Sequence, residues 1–318
     1  MSVFNSPFSN SRSVAELIIG EIICLARQLG DRNNEMHQGH WNKKSAGCIE
    51  IRGKTLGIVG YGHIGSQLSV LAESFGMKVV FYDVAQIMAI GNATSLFSLN
   101  NLLRMSDFVT LHVPELSSTR NMIGKAELEK MKPGSFLLNA SRGSVVDLEA
   151  LKEALASGHL GGAALDVYPE EPESNGNGFL TGLEKFENVI ITPHIGGSTE
   201  EAQAAIGMEV ATMMVNFINK GSSMGSVNFP EVDQRKIYVP KNGHFVCRLL
   251  NVHQNVPGVL KKINLILSEY NIEKQICESR GPYAYLIADI STTQEENLEK
   301  IFKDIYDIPE SVATRLLY

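Results

Sequence analysis

His194, Glu171 and Arg142 are an imidazole, a carboxylate and a guanidinium, and each follows a short apolar run in this 318-residue sequence. An imidazole with an ordinary pKa of about 6.5 can give or take a proton at working pH. A carboxylate on its other ring nitrogen would orient the ring and stabilise its charged form. A guanidinium can grip a carboxylate through two N–H groups and polarise a neighbouring carbonyl. Together the three suit hydride chemistry on a 2-hydroxy or 2-keto acid, provided a hydride carrier binds nearby. Singly, each has a plainer reading: a surface salt bridge, a satisfied loop histidine, a solvated loop acid.

A carrier site is written at Gly60-Tyr61-Gly62-His63-Ile64-Gly65, which follows the apolar run Thr55–Val59 and opens a helical pattern. In such a turn the first glycine permits the tight reversal, the second lets backbone approach a pyrophosphate, and the third lets helix and strand pack closely. The anion then faces free N–H groups at a helix start. Asp83 ends the next strand, 23 residues after Gly60, where an acid holds ribose hydroxyls. No arginine follows in Val84-Ala85-Gln86, so NAD is expected rather than NADP. His63 is expected to meet the cofactor through its backbone, and His112 to line the adenine side. His37, His40 and His159 read as surface or packing residues.

These groups need a scaffold, and the hydrophobic pattern supplies one. Strands are expected at Thr55–Val59, Val79–Tyr82, Phe108–Val113, Phe136–Leu138, Ala163–Val167 and Val189–Thr192. Helices are expected at Ile64–Phe75, Lys125–Met131, Leu148–Ala156 and Glu200–Ile218, the last with Ala205, Met208, Ala211, Met214 and Val215 on one side. Short apolar strands alternating with helices indicate a parallel sheet covered on both faces. Ligands of such sheets bind beyond the carboxyl ends of the strands, where Asp83, Asn139–Gly143, Tyr168–Pro172 and Pro193–Gly197 all fall. A first helix is expected over Val14–Arg27, capped by Ser13 with Glu16 closing a capping box. It is apolar nearly all round, which calls for more covering protein than residues 1–13 supply. Gly221–Asn242 is a break. Beyond it the order Phe245–Val252, Val259–Tyr270, Ile272–Cys277, Tyr283–Ile290, Glu295–Ile305 and Val312–Leu317 reads β-α-β-β-α-β. The expected class is α/β: a Rossmann-type doubly wound sheet over residues 1–220, a linker over 221–243, and a ferredoxin-like unit over 244–318.

Composition removes other classes. Lys+Arg is 28 and Asp+Glu is 35, giving net charge −7 and a pI near 5.7, without the basic excess of a nucleic-acid binder. No apolar run approaches the roughly 18 residues of a membrane span, and the N-terminus has no signal-peptide core. Cys24, Cys48, Cys247 and Cys277 form no C-x-x-C pair, so a reduced, cytoplasmic protein without a metal framework is expected.

GYGHIG, NASRGSVVD, ALDVYPEEP and ITPHIGGSTEEAQ resemble the signature blocks of the D-2-hydroxyacid dehydrogenase superfamily. FNSPFSNSRSVAELIIGEI, GHWNK, VNFPE, HQNVPGVL and the terminal RLLY are similar to its phosphoglycerate dehydrogenases that end in an ACT domain. The resemblance implies catalytic roles for Arg142, Glu171 and His194. It implies NAD contacts at Gly60, Gly62, His63, Ile64, Gly65, Asp83, Ala140, Ser141, Arg142, Asp166, His194, Ile195, Gly196 and Gly197. It implies 3-phosphoglycerate as substrate, no metal, homo-oligomers through the nucleotide and ACT domains, and serine as feedback effector at His253 and Asn255. A second effector asparagine of the family falls on Glu273 here, with Asn271 nearby. The resemblance implies a substrate-binding lobe ahead of the nucleotide domain, and that lobe is expected to be missing from residues 1–318. Two other readings therefore stand beside the first: a catalytically silent NAD-binding and amino-acid-sensing chain, or a dehydrogenase of another acid such as glycerate or 2-hydroxyglutarate. Trp41, the only tryptophan, is expected either at a contact or as a half-buried anchor.

Overall fold

The computed structural model describes residues 2–234, 245–292 and 296–317. In chain order its elements are α1 (Ser11–Arg27), α2 (Leu29–His37), β1 (Thr55–Val59), α3 (His63–Ser74), β2 (Lys78–Tyr82), β3 (Thr94–Ser95), α4 (Leu99–Met105), β4 (Phe108–Leu111), α5 (Lys125–Leu128), β5 (Phe136–Asn139), α6 (Leu148–Ala156), β6 (Gly162–Leu165), β7 (Val189–Ile191) and α7 (Glu200–Lys220). After these come β8 (Phe245–Gln254), α8 (Val259–Leu267), β9 (Asn271–Arg280), β10 (Tyr283–Thr292), α9 (Glu296–Tyr306) and β11 (Ser311–Leu317). The chain divides into two compact units, residues 8–203 and residues 1–7 with 204–318, the division falling inside α7.

The 8–203 unit is an all-parallel sheet in the order β3-β2-β1-β4-β5-β6-β7. Successive side chains of a strand point to opposite faces, and here both faces are apolar. Ile58 and Leu138 join one buried cluster with Ile18 and Ile22 of α1 and Leu68 of α3. Their neighbours Val59 and Leu137 join a second cluster with Leu102 of α4, Leu128 of α5 and Leu151 of α6. Strand order reverses between β1 and β4, which opens a crevice at their carboxyl ends.

Three local expectations are corrected. The first helix starts at Ser11, not Val14, because Ser11 N–H donates to Phe8 O and Val14 N–H to Asn10 O. Ser13 therefore lies inside the helix and is no cap. Its hydroxyl meets Thr199 Oγ1 at 2.8 Å, while Glu16 pairs with Arg12 at 2.5 Å. On that helix Val14, Ile18, Ile22 and Leu25 are buried, whereas Leu17, Ile23 and Cys24 are only half-buried. In α7 the five residues do share one side, and it is the exposed one: Met208 is 70% exposed, while the half-buried ridge is Ile206, Val210, Met213 and Phe217. Trp41 is 81% exposed, so it is not a half-buried anchor. Sequence patterning also passes over α2, whose residues Leu29–His37 include no buried side chain, and the brief β3 and α4.

The other unit carries the antiparallel sheet β11-β8-β10-β9, a ferredoxin-like order. α8 and α9 cover one face through Val259, Ile263, Leu298 and Ile301. Phe229 and Val232 cover the other, packing on Leu250, Tyr285 and Ile287. Residues 3–4 pair with 226–227, through Val227 N–H to Val3 O and a Phe4–Ser226 bridge. Residues 235–243 of the expected linker, Glu295 of the expected helix, and residues 244 and 318 lie outside the described residues. Arg248 and Asp289 are fully buried in this unit, with Nε and Nη2 donating to the carboxylate at 2.6 and 2.8 Å. Arg248 Nη1 also donates to the carbonyls of Lys220 and Gln234, at 2.8 and 2.9 Å. Breaking one half of a buried ion pair strands the other charge. Asp289→Asn is expected to destabilise this unit by about 3–5 kcal/mol, read as a lowered midpoint in calorimetric melting; an unchanged midpoint would refute the arrangement.

Candidate active site

The glycine turn separates three functions that the sequence motif merges. Gly60 has φ +92°, and a Cβ there would strike the His112 carbonyl. A Cβ on Gly65 would strike the Gly60 carbonyl, so that glycine lets α3 pack down on β1. Gly62 meets nothing within 4 Å, which leaves open space at the start of α3. That open, N–H-lined corner fits a pyrophosphate. Asp83 pins the turn, accepting from Tyr61 N–H at 2.7 Å and from Ala85 N–H at 2.9 Å. His63 is exposed at the mouth of α3 and stacks on Phe8 with centroids 3.7 Å apart; Ile64 follows it in the helix. His112 contacts Thr110 Oγ1 at 3.0 Å, its Nδ1 is buried without a partner, and burial pushes its pKa down to about 4.

After β5 the chain turns through Ala140-Ser141-Arg142. Buried Asn139 shapes the turn, its Oδ1 accepting from Ser141 N–H and hydroxyl and its amide donating to Arg142 O at 3.0 Å. Gly143 allows this turn to lie on the next one, since a Cβ there would collide with the Tyr168–Pro169 backbone. Tyr168 in turn ties the ends of β6 and β7 together, its hydroxyl donating to Leu165 O and Thr192 O, both at 3.0 Å. Tyr168 N–H donates to Glu171 Oε1 at 3.0 Å and sets the carboxylate's direction.

His194 Nδ1 lies 2.7 Å from Glu171 Oε2. Burial pushes the Glu171 carboxyl up, but the hydrogen bonds from His194 and Tyr168 and the Arg142 charge outweigh it, so the group sits below the usual carboxylate range. Asp166, just past β6, holds the segment that carries His194. Its oxygens accept from Thr192 Oγ1 at 2.6 Å, Ile195 N–H at 2.8 Å and Gly196 N–H at 2.7 Å. His194 is thereby kept at φ +55°, a left-handed conformation that costs a non-glycine residue about 1–3 kcal/mol. Gly197 packs against Asn10, where a Cβ would press on the amide. The three residues first singled out converge: Arg142, Glu171 and His194 line one cavity of about 240 Å³, with Glu115 and Ser144 also in its wall. Among the described residues no cluster of His, Cys, Asp or Glu has metal-binding geometry, and no helix is long and apolar enough to cross a membrane.

Sequence reasoning passes over Glu21. It is 4% exposed on α1, and its Oε1 has no hydrogen-bond partner. Burial, with the Asp166 charge adding, pushes its carboxyl up to about 8. A lone acid inside the run Ile18–Ile23 was the available signal.

The two effector candidates lie in the other unit. His253 is 2% exposed, with Nδ1 2.9 Å from Asn251 Oδ1. Asn255 donates to Gly281 O at 3.3 Å. Both line a second cavity of about 240 Å³, whose wall does not include Glu273 or Asn271. Those two instead form a local network with Ser291.

Residues 19–196 match the family described as D-isomer specific 2-hydroxyacid dehydrogenase, NAD binding domain. The chain is 54% identical over 327 residues to D-3-phosphoglycerate dehydrogenase 2 of Saccharomyces cerevisiae, covering 100% of this chain and 69% of that protein. It is 51% identical to D-3-phosphoglycerate dehydrogenase of Escherichia coli, covering 99% and 76%. Among solved structures, D-lactate dehydrogenase with NAD+ from Lactobacillus jensenii aligns with a TM-score of 0.67 at 30% identity, over 71% of this chain and 72% of that one. The NAD-complexed D-isomer specific 2-hydroxyacid dehydrogenase of Lactobacillus delbrueckii ssp. bulgaricus aligns at 0.66 and 32% identity, over 72% and 73%.

Glu21 carries its proton in the folded chain up to about pH 8, whereas it ionises in the unfolded chain near its ordinary 4.5. Its contribution to stability is therefore full below about pH 4.5 and lost as pH rises toward 8. Glu21→Gln removes that dependence. It is expected to stabilise the 8–203 unit little at pH 4.5 and by roughly 3–5 kcal/mol at pH 8. Urea unfolding at both pH values measures this, and a gap that does not widen with pH would refute it.

Proposed function

Because the chain belongs to the D-isomer specific 2-hydroxyacid dehydrogenase family and is an NAD-dependent enzyme of it, we propose that it oxidises 3-phospho-D-glycerate to 3-phosphohydroxypyruvate, the first step of L-serine synthesis. The observation that carries the chemistry is the His194–Glu171 contact at 2.7 Å in a cavity shared with Arg142. The substrate reading is supported by relatives named D-3-phosphoglycerate dehydrogenase at 51–56% identity.

The Gly60–Gly65 turn would receive the pyrophosphate end of the cofactor, with Gly62 leaving it room, and Asp83 would take its ribose. Ala140, Ser141 and the 194–197 segment would hold the nicotinamide end. NAD, when bound, accepts the hydride from the substrate carbon. The protein's own groups do the rest. Arg142 grips the substrate carboxylate and draws electron density toward the forming carbonyl. With Nδ1 engaged by Glu171, Nε2 of His194 takes the hydroxyl proton as the C–H bond breaks. The carboxylate beside it then stabilises the imidazolium. We read the ferredoxin-like unit as an ACT domain whose His253–Gly258 turn receives serine as feedback effector. We read the exposed Trp41 and the unburied α2 as surfaces of a homo-oligomer.

His194→Asn is expected to lower kcat by about 10²–10⁴-fold, read by NADH absorbance at saturating NAD. Glu171→Gln removes the carboxylate that orients the ring, so it is expected to lower kcat by about tenfold or more with KM little changed. Rates with 3-phosphoglycerate, glycerate and 2-hydroxyglutarate, followed by NADH absorbance, test the substrate. Faster turnover of an unphosphorylated acid overturns the assignment, and NADH binding without turnover of any acid supports the silent reading instead.

A further inference from the structure

We propose that Tyr61, which stands between the first two glycines of the turn, clasps both ends of the segment from Asp83 to Ile90 and through it sets affinity for the adenosine half of the cofactor. The inference rests on NAD as cofactor and not on which acid is oxidised.

The clasp is made by the two ends of one residue. Tyr61 N–H donates to Asp83 Oδ2 at 2.7 Å. Its ring is buried in the core, where it stacks on Phe81 with centroids 3.7 Å apart. There the hydroxyl meets Ser69 Oγ at 2.6 Å, Ile90 N at 3.3 Å and Ile90 O at 3.4 Å. A phenol has one hydrogen to give. Ser69 gives its own to Ser66 O at 2.9 Å, so at the short contact it accepts from Tyr61. The Tyr61 oxygen is then left to accept from Ile90 N–H. The result is a directed chain from Ile90 N–H through Tyr61 and Ser69 to Ser66, and bonds in such chains strengthen one another. It ends on the first turn of α3, where Ser66 N–H donates to Gly62 O at 3.0 Å.

Little else holds the segment. Among the described residues no backbone–backbone hydrogen bond reaches residues 84–92. Ala85 N–H donates to Asp83 Oδ1 at 2.9 Å, Asn92 N–H donates to Glu73 Oε1 at 2.8 Å, and Ile87 is partly buried against the first cluster. Val84 and Met88 are almost fully exposed. A segment tied at so few points is only as firm as those points. A ribose on Asp83 carries its adenine away from the pyrophosphate, toward the residues that follow Asp83. Slack in those residues therefore costs affinity at the adenosine end. Tyr61 touches no reacting atom in this scheme. It is a positioning residue.

The test is Tyr61→Phe in the full chain. The ring keeps its stack and the backbone N–H keeps Asp83, so only the hydroxyl is lost. Without cofactor, amide exchange at Ile90 is expected to speed up, while Leu96 N–H, which donates to Phe81 O at 2.8 Å, keeps its rate. Calorimetric titration is expected to give ADP-ribose a Kd raised roughly three- to tenfold, the worth of one hydrogen bond. Ser69→Ala frees the Tyr61 hydrogen for Ile90 O, so its Kd should stay within about twofold of wild type. If the two variants weaken ADP-ribose equally, or exchange quickens at Leu96 as much as at Ile90, Tyr61 only packs the core and the inference falls. Wild-type binding of ADP-ribose that Tyr61→Phe leaves unchanged overturns the inference alone. A wild-type chain that binds no ADP-ribose overturns the cofactor reading and the inference with it.

Discussion

Asp166 spends its two carboxylate oxygens on three donors of one short segment, Thr192, Ile195 and Gly196. Charge-assisted bonds of this kind are about twice as strong as neutral ones, and the acid is almost wholly buried. The strain at His194 is small against them. Without that grip the segment has no reason to hold a histidine in a left-handed conformation, and the ring would lose its bearing on Glu171. The rest of the site is built to meet this ring: Tyr168 N–H aims Glu171, Gly143 lets the Arg142 turn approach, and Asn139 shapes that turn. The sheet makes the meeting possible, because β5, β6 and β7 are parallel neighbours and deliver their carboxyl ends to one edge.

The same edge shows why glycine appears where it does. At Gly60 and Gly65 a side chain would strike backbone, and backbone cannot yield. At Gly62 there is room, which is a different demand: something other than protein is meant to come close. The motif alone cannot tell obligatory packing from reserved space. Asp83 illustrates the same division, for it is at once an acid placed for ribose hydroxyls and the acceptor that steadies Tyr61 N–H.

Legibility in the sequence followed interaction range. β1 and α6 fall on the bounds that local pattern predicts, because a buried strand with a glycine turn and an Asp147-capped helix are decided by adjacent residues. The convergence of Arg142, Glu171 and His194 was also legible, since the rule placing ligands at strand ends needs only strand order and direction. What escaped depends on partners far along the chain. Ser13 looks like a cap until Thr199 claims its hydroxyl, 186 residues away. Which side of α7 meets protein stayed open, because alanine and methionine suit either side of a helix and only packing chooses. Glu21 was passed over, yet the helix phase set by Ile18, Ile22 and Leu25 turns it inward toward Asp166.

Two buried amides and two buried acids divide the positioning work by charge. Asn139 and Asn251 each orient groups that both donate and accept, and an amide offers both functions without importing charge into a closed space. Asp166 faces only donors, so a charge is tolerable there and makes the grip strong. Glu21 faces no donor at Oε1 and lies in the field of Asp166, so the cheapest state for it is neutral. Whether a buried acid is an anchor or a proton reservoir is thus decided by the donors around it. In this chain the donors gather where the reactive imidazole must be held still.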